Sequence, residues 1–132
     1  MYQMLGDTVY DSEEIEKMIE SSTSFTVKED MTKRTKREDA LAYKLAIKAE
    51  KLDADAGEYI EDEDKINLLM EKSDELLKRE LENLKIEYTI TQSYSYTYDE
   101  VTNEILSVMA VMHIQNGRRK LPDVIKRLLS QV

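Results

Sequence analysis

The sequence predicts an α+β fold in which a long antiparallel helical hairpin packs against a long β-hairpin, with short helices at both termini. Three observations lead to this prediction. Apolar residues recur at helical spacing through much of residues 35–84, the repeat shortens to two residues near residue 85, and 41% of the 132 residues are hydrophobic. Because a chain of this length can bury a sizeable core, we expect residues 1–132 to form a single domain.

The first predicted helix begins just after Asp11. Asp11 and Glu14 have the spacing of a capping box, and Ile15 and Ile19 lie on one face of the helix that would follow. The segment SFTVK, residues 24–28, then predicts a short edge strand.

The first arm of the helical hairpin is predicted between Thr35 and Gly57. Thr35 and Glu38 again have capping-box spacing, and four alanines between residues 40 and 49 favour a helix. Gly57 is placed to end this helix, because glycine tolerates the left-handed backbone of a C-cap. Apolar residues recur at intervals of four and three at Leu41, Leu45, Ala49 and Leu52.

The second arm is predicted from about Asp64 to Leu84. An apolar stripe that includes Ile66 and Met70 holds helical spacing for roughly six turns, and the acidic run EDED, residues 61–64, lies at the positive end of the helix dipole. A short loop between the two arms favours an antiparallel hairpin.

The stretch IEYTITQSYSYTYDE, residues 86–100, predicts a long strand over residues 86–98, and the turn-like segment YDEVTNE, residues 98–104, follows it. The predicted strand holds four of the eight tyrosines, which alternate with serine and threonine. A period of two places one set of side chains on a single face, and that set is Ile86, Tyr88, Ile90, Gln92, Tyr94, Tyr96 and Tyr98. The other face is polar, so we expect a half-buried strand.

Residues 104–116 allow two interpretations. A strand would place Leu106, Val108 and Ala110 on one face, whereas a helix would end at Gly117. We favour the strand, because a long strand needs a partner for its backbone groups. The chain then closes with a short amphipathic helix, and Pro122 suits its first turn.

The tyrosine ladder has a structural and a functional interpretation. The rings can fill the inner face of a hairpin packed on the helices, with their hydroxyls reaching water. Alternatively, Tyr94, Tyr96 and Tyr98 extend beyond the helices and form an exposed aromatic patch that binds a partner protein.

Charge is unevenly distributed along this acidic chain, whose net charge is −9. One acid, Asp123, lies after Ile105, against five basic residues that include Arg118, Arg119 and Lys120. A second basic cluster, KRTKR, spans residues 33–37. We expect Arg118, Arg119 and Lys120 to contact a partner protein or another copy of the chain. Nucleic acid is an unexpected partner at this net charge, unless the two basic clusters converge on one face.

The sequence offers little support for an enzyme. The three glycines are isolated, so no phosphate-binding loop can form, and cysteine is absent. His113 is the only histidine, which argues against a zinc site or a histidine-based triad. As a strand residue it is expected to face solvent or to make a local hydrogen bond. We therefore predict a non-enzymatic protein without a cofactor.

The acidic segment DADAGEYIEDED, residues 53–64, resembles an EF-hand calcium loop. Asp53, Asp55 and Asp64 occupy the first, third and twelfth positions, and the resemblance implies that they hold a divalent cation. The pattern departs from an EF-hand at the sixth position, where Glu58 replaces glycine, and at the twelfth, where the usual glutamate is aspartate.

These observations together favour a small interaction protein. No apolar run is long enough to span a bilayer and the N-terminal residues do not resemble a signal peptide, so we expect a cytoplasmic protein with no membrane partner. Cysteine-free acidic proteins with many lysines are typical of phage and mobile elements. The expected function is to inhibit a host protein, for example as a nucleic-acid mimic, or to assemble into a particle. The alternative is a calcium- or magnesium-binding protein that uses the 53–64 loop.

Overall fold

The computed structural model describes all of residues 1–132 and confirms the α+β class. The chain begins with strands β1 (Tyr2–Leu5) and β2 (Thr8–Asp11), helix α1 (Ser12–Ser22) and strand β3 (Thr26–Asp30). Next come a 3₁₀ helix (Thr32–Thr35), strand β4 (Ala40–Lys48) and a single helical turn, α2 (Ala49–Leu52). The rest comprises helix α3 (Glu63–Glu82), strands β5 (Thr89–Asp99) and β6 (Glu104–His113), and helix α4 (Ile114–Leu129).

The main sheet has four antiparallel strands in the order β3-β4-β6-β5 and carries helices on both faces. Helices α1 and α3 cover one face, where they enclose a core of 18 buried residues that includes Tyr43 and Met109. Helix α4 and the 3₁₀ helix cover the other face, over a smaller core of 10 buried residues. Strands β4 and β6 therefore supply side chains to two separate cores.

The predicted helical hairpin is wrong, because its first arm is strand β4. Leu41, Tyr43 and Leu45 point into the larger core, while Ala40 and Ala42 point into the smaller one. Both faces of β4 are buried, so the polar alternation typical of a half-exposed strand is missing. Pairing with β3 and β6 on either side overrides the helix propensity of the alanines.

Several other predicted elements are confirmed. Helix α1 begins after Asp11, whose carboxylate accepts from the Glu13 N–H, and α3 covers nearly the whole predicted range. Strands β5 and β6 form the predicted antiparallel β-hairpin. The N-terminal hairpin of β1 and β2 was not predicted, although Gly6 and Asp7 separate two alternating segments in the sequence.

The prediction that the tyrosines share one face is wrong at both ends of β5. Tyr88 precedes the strand, with φ of +60° and an exposed ring. A β-bulge between Ser95 and Thr97 inserts Tyr96 as an extra residue, so Tyr98 pairs with Ile105 and faces the larger core. Tyr96 instead packs against the smaller core under α4.

Each edge strand of the main sheet has a β-bulge and, beside it, a backbone N–H that donates a hydrogen bond to a carboxylate from a helix. At the β5 edge, the Asp74 carboxylate of α3 accepts from the Ser95 N–H at 2.7 Å beside the bulge. At the β3 edge, the Glu20 carboxylate of α1 accepts from the Val27 N–H at 3.2 Å, also beside a bulge. Bulges and charges at exposed edges hinder the addition of another strand.

The strand interpretation of residues 104–113 is confirmed, but the C-terminal helix begins earlier than predicted. Gly117 lies inside α4, where its missing side chain lets the helix approach Ile90 and Met112. His113 makes the predicted local hydrogen bond, because its Nδ1 accepts from the Gln115 N–H and caps α4. No helix in the structure is both long and apolar enough to cross a membrane.

Candidate protein-interaction site

The structure separates the three tyrosines that were predicted to bind a partner. Tyr94 is 51% exposed on the α4 side of β5, and only this ring offers a substantial free surface. The Tyr96 hydroxyl is buried without a hydrogen-bond partner, and burial, together with Glu29, raises the pKa of that phenol. The Tyr98 ring packs against the larger core on the opposite face. The three residues therefore do not form one patch.

The predicted basic residues lie together on α4. Arg118, Arg119 and Lys120 are all exposed, in the first half of the helix, and none forms an ion pair within 4.0 Å. They lie on the α4 side of the sheet, as Tyr94 does.

The acidic 53–64 loop does not form an EF-hand ligand set. The Asp53 carboxylate accepts from the Asp55 N–H at 3.0 Å, and Asp64 lies in the first turn of α3. The structure contains no group of three or more carboxylate or histidine side chains arranged to hold a metal ion. Asp62, in the same segment, likewise accepts from a backbone donor, the Asp64 N–H, at 2.9 Å.

The same loop is attached to the tip of the β-hairpin. The Tyr98 hydroxyl donates to Asn103 Oδ1 at 2.5 Å and accepts from the Ile60 N–H at 3.3 Å. Asn103 Nδ2 donates to the Gly57 carbonyl at 3.1 Å. Ile60 is itself buried in the larger core. The bulge makes this attachment possible, because it turns Tyr98 toward the loop.

A groove of about 640 Å³ lies between the start of α3 and the end of β5. Its apolar lining includes Ile66 and Met70 of α3 and Tyr98 of β5. Three glutamates line the same groove: Glu61, Glu63 and Glu100. No lysine or arginine lines it. The groove therefore combines an apolar lining with strong negative charge, and it has the volume of an ordinary ligand pocket, roughly 300–1,000 Å³.

This arrangement suits a cationic side chain with a long aliphatic stem. Lysine and arginine bury their methylene groups on apolar surface while the charged end stays near water or a carboxylate. Hydrogen bonds between arginine or lysine and a carboxylate are about twice as strong as neutral ones.

The sequence identified only part of this groove. Tyr98 and the acidic loop were singled out, but Ile66 and Met70 were assigned to the core stripe of α3 and Glu100 to a turn. Both α3 residues are only partly buried. A bulge leaves no clear signal in an alternating sequence, so no pattern indicated that Tyr98 would face α3 while Tyr94 lies on the α4 side.

Comparison of the chain with protein-family models, with curated proteins and with solved structures found no match. The function proposed below therefore rests on the chemistry of the chain's own surface. The groove and the charges around it supply that chemistry.

Proposed function

We propose that this chain is a non-enzymatic protein-interaction protein that holds a basic segment of a partner protein in the groove between α3 and the β-hairpin tip. The observation that carries this proposal is the lining of the groove, in which three glutamates and no basic residue surround apolar side chains. Such binding would block a host protein or join the chain to a larger assembly. Both roles need a partner surface that presents lysine or arginine.

The hydrogen bond between Asp74 and the β5 edge argues against binding by addition of a strand. A partner strand that extended β5 would need the Ser95 N–H, which Asp74 already occupies at 2.7 Å. Recognition through side chains remains open at the groove, which lies beyond the bulge toward Glu100. We therefore propose that the partner contributes basic and apolar side chains rather than an added strand.

The test is titration with a short fluorescent peptide rich in arginine and leucine, followed by anisotropy at several salt concentrations. The groove variant replaces three carboxylates as Glu61→Gln, Glu63→Gln and Glu100→Gln. We expect at least tenfold weaker binding than for the unmodified chain, and a shallower salt dependence, because three charge contacts are lost.

The matched control changes net charge equally at exposed positions outside the groove, as Glu14→Gln, Glu38→Gln and Glu87→Gln. We expect the control to bind within about twofold of the unmodified chain, since screening limits distant charges. Equal loss in both variants would show that overall charge, rather than the groove, attracts the peptide. Failure of the peptide to bind at low salt would also contradict the proposal.

A further inference from the structure

The two basic clusters of the sequence converge on one face of the molecule. Helix α4 contacts the 3₁₀ helix, and Met31, which immediately precedes that helix, belongs to the same smaller core as Leu121 and Leu128 of α4. The Gln131 side chain donates to the Arg34 carbonyl at 3.3 Å, which joins the C-terminal end of α4 to the 3₁₀ segment. Residues 33–37 and 118–127, here called the basic face, contain nine lysines and arginines and one acid, Asp123.

Most of these charges are unpaired. Arg34 pairs with Glu29 at 2.8 Å and Arg37 pairs with Asp39 at 2.7 Å. The remaining seven side chains are exposed and have no acidic partner within 4.0 Å: Lys33, Lys36, Arg118, Arg119, Lys120, Lys126 and Arg127. Their charge is therefore available to a ligand.

The acidic side of the molecule lies across the sheet. Helices α1 and α3 carry eleven acidic and five basic residues, and they cover the opposite face. Layers of secondary structure pack about 10 Å apart, so the two helical layers are separated by roughly 20 Å. Because the Debye length at physiological salt is only about 8 Å, the net charge of −9 does not determine the field beside α4.

We propose that the basic face binds the phosphodiester backbone of a nucleic acid. Exposed lysines and arginines along a helix supply the contacts with phosphate that dominate such binding. Neither α4 nor the 3₁₀ helix contains an aromatic residue, so the basic residues are not interleaved with rings for base stacking; Tyr94 of β5 is an exposed ring on the same side of the sheet. Contacts with phosphate carry no information about base sequence, so we expect binding that is independent of base sequence and strongly dependent on salt. This site goes beyond the acidic groove, which lies on the other side of the sheet.

The test is fluorescence anisotropy with a labelled DNA duplex of about 20 base pairs and, separately, a single-stranded RNA of similar length. Binding of either probe supports the proposal, and the relative affinities for DNA and RNA identify the preferred nucleic acid. One variant removes three charges of the basic face together, as Lys33→Gln, Arg119→Gln and Lys126→Gln. At about 50 mM salt we expect at least a tenfold loss of affinity, and the slope of log K against log salt should fall by about two to three.

The matched control removes three exposed lysines elsewhere, as Lys17→Gln, Lys78→Gln and Lys85→Gln, and should bind within about twofold of the unmodified chain. Thermal melting confirms that both variants are folded. Absence of binding at about 50 mM salt, or equal loss in both variants, would overturn the proposal. So would equal affinity for polyglutamate or for vesicles containing phosphatidylserine, since either would make the face a general anion-binding or membrane surface.

Discussion

Two tyrosine hydroxyls are buried in different hydrogen-bonding environments. Tyr43 is fully buried, and its hydroxyl donates to the Ser12 carbonyl at 2.7 Å. The Tyr96 hydroxyl is also buried but has no hydrogen-bond partner. A buried polar group without a partner costs about 1–3 kcal/mol of stability, whereas a satisfied one contributes about 1 kcal/mol. Removing the two hydroxyls should therefore have opposite effects.

We expect Tyr96→Phe to raise the free energy of unfolding by about 1 kcal/mol, because it removes an unsatisfied hydroxyl and keeps the ring. Tyr43→Phe is the matched control and should lower stability by about 1–2 kcal/mol, since it leaves the Ser12 carbonyl unpaired. Urea unfolding of both variants measures these changes. Destabilisation by Tyr96→Phe would mean that its hydroxyl has a partner in solution.

Glu16 is the carboxylate whose protonation should affect stability. Burial raises its pKa above the ordinary value of 4.5, and Asp30, Glu20 and Glu13 add to the shift. The ionised side chain therefore destabilises the folded state. This cost is fully present above the raised pKa of the folded state, and it disappears below about 4.5, where Glu16 is protonated in the folded and unfolded chains alike.

We expect Glu16→Gln to stabilise the protein at pH 7, by less than about 1 kcal/mol because the side chain is partly solvated. The gain should fade as the pH falls toward 4. Melting temperatures across this range test the prediction, with the exposed Glu14→Gln as a control that changes little. A gain that grew in acid would contradict the assigned direction of the shift.

Among the elements, α4 depends on small residues for its close packing. Ala40, Ala42 and Ala110 form part of the sheet surface beneath it, and Gly117 is the contact point within the helix. A Cβ atom at Gly117 would lie 2.8 Å from Ile90 Cγ1 and 3.3 Å from Met112 Cβ. The alanines that favour a helix in the sequence thus act as packing residues in a sheet.

We expect Gly117→Ala to destabilise the protein by about 1 kcal/mol, since overpacking costs about 1–3 kcal/mol and exceeds the gain of about 1 kcal/mol in helix propensity. In an Ile90→Ala background the same substitution should become stabilising. Chemical unfolding of the four combinations gives the coupling between the two positions. Destabilisation of equal size in both backgrounds would show that Ile90 is not the obstacle.

The elements differ in how much of their structure the sequence reveals. One face of helix α3 is exposed to solvent, so its apolar residues recur with a 3.6-residue period that is visible in the sequence. Strand β4 is buried on both faces, so its apolar residues fit a helix and a strand equally well, and only the pairing with β3 and β6 decides between them. The position of Tyr98 in the groove depends on a bulge held by Asp74, a long-range contact that no local pattern encodes.

At the scale of the whole molecule, charge is divided into layers by the sheet. The acidic groove and helices α1 and α3 lie on one side, and the basic face lies on the other. The structure has only four ion pairs within 4.0 Å, so most of its 28 carboxylates are not neutralised by a close partner. Repulsion among like charges therefore opposes folding.

We expect the melting temperature to rise when sodium chloride is increased from about 10 mM to about 300 mM, because the Debye length shortens from about 30 Å to well under 10 Å and screens this repulsion. A neutral osmolyte at the same osmolality is the control for general solvent effects. A melting temperature that fell with salt would show that attraction between the layers outweighs repulsion within them.

Because the two faces of the sheet carry separate cores, the helical layers on its two sides need not lose structure together. The side under α4 buries fewer residues, so local opening there should require less free energy than global unfolding. Amide hydrogens of α4 would then exchange with solvent sooner than those of the central strands. The opened form would present an amphipathic cationic helix and a bare alanine-rich sheet surface, which makes the C-terminal segment the natural starting point for aggregation on heating.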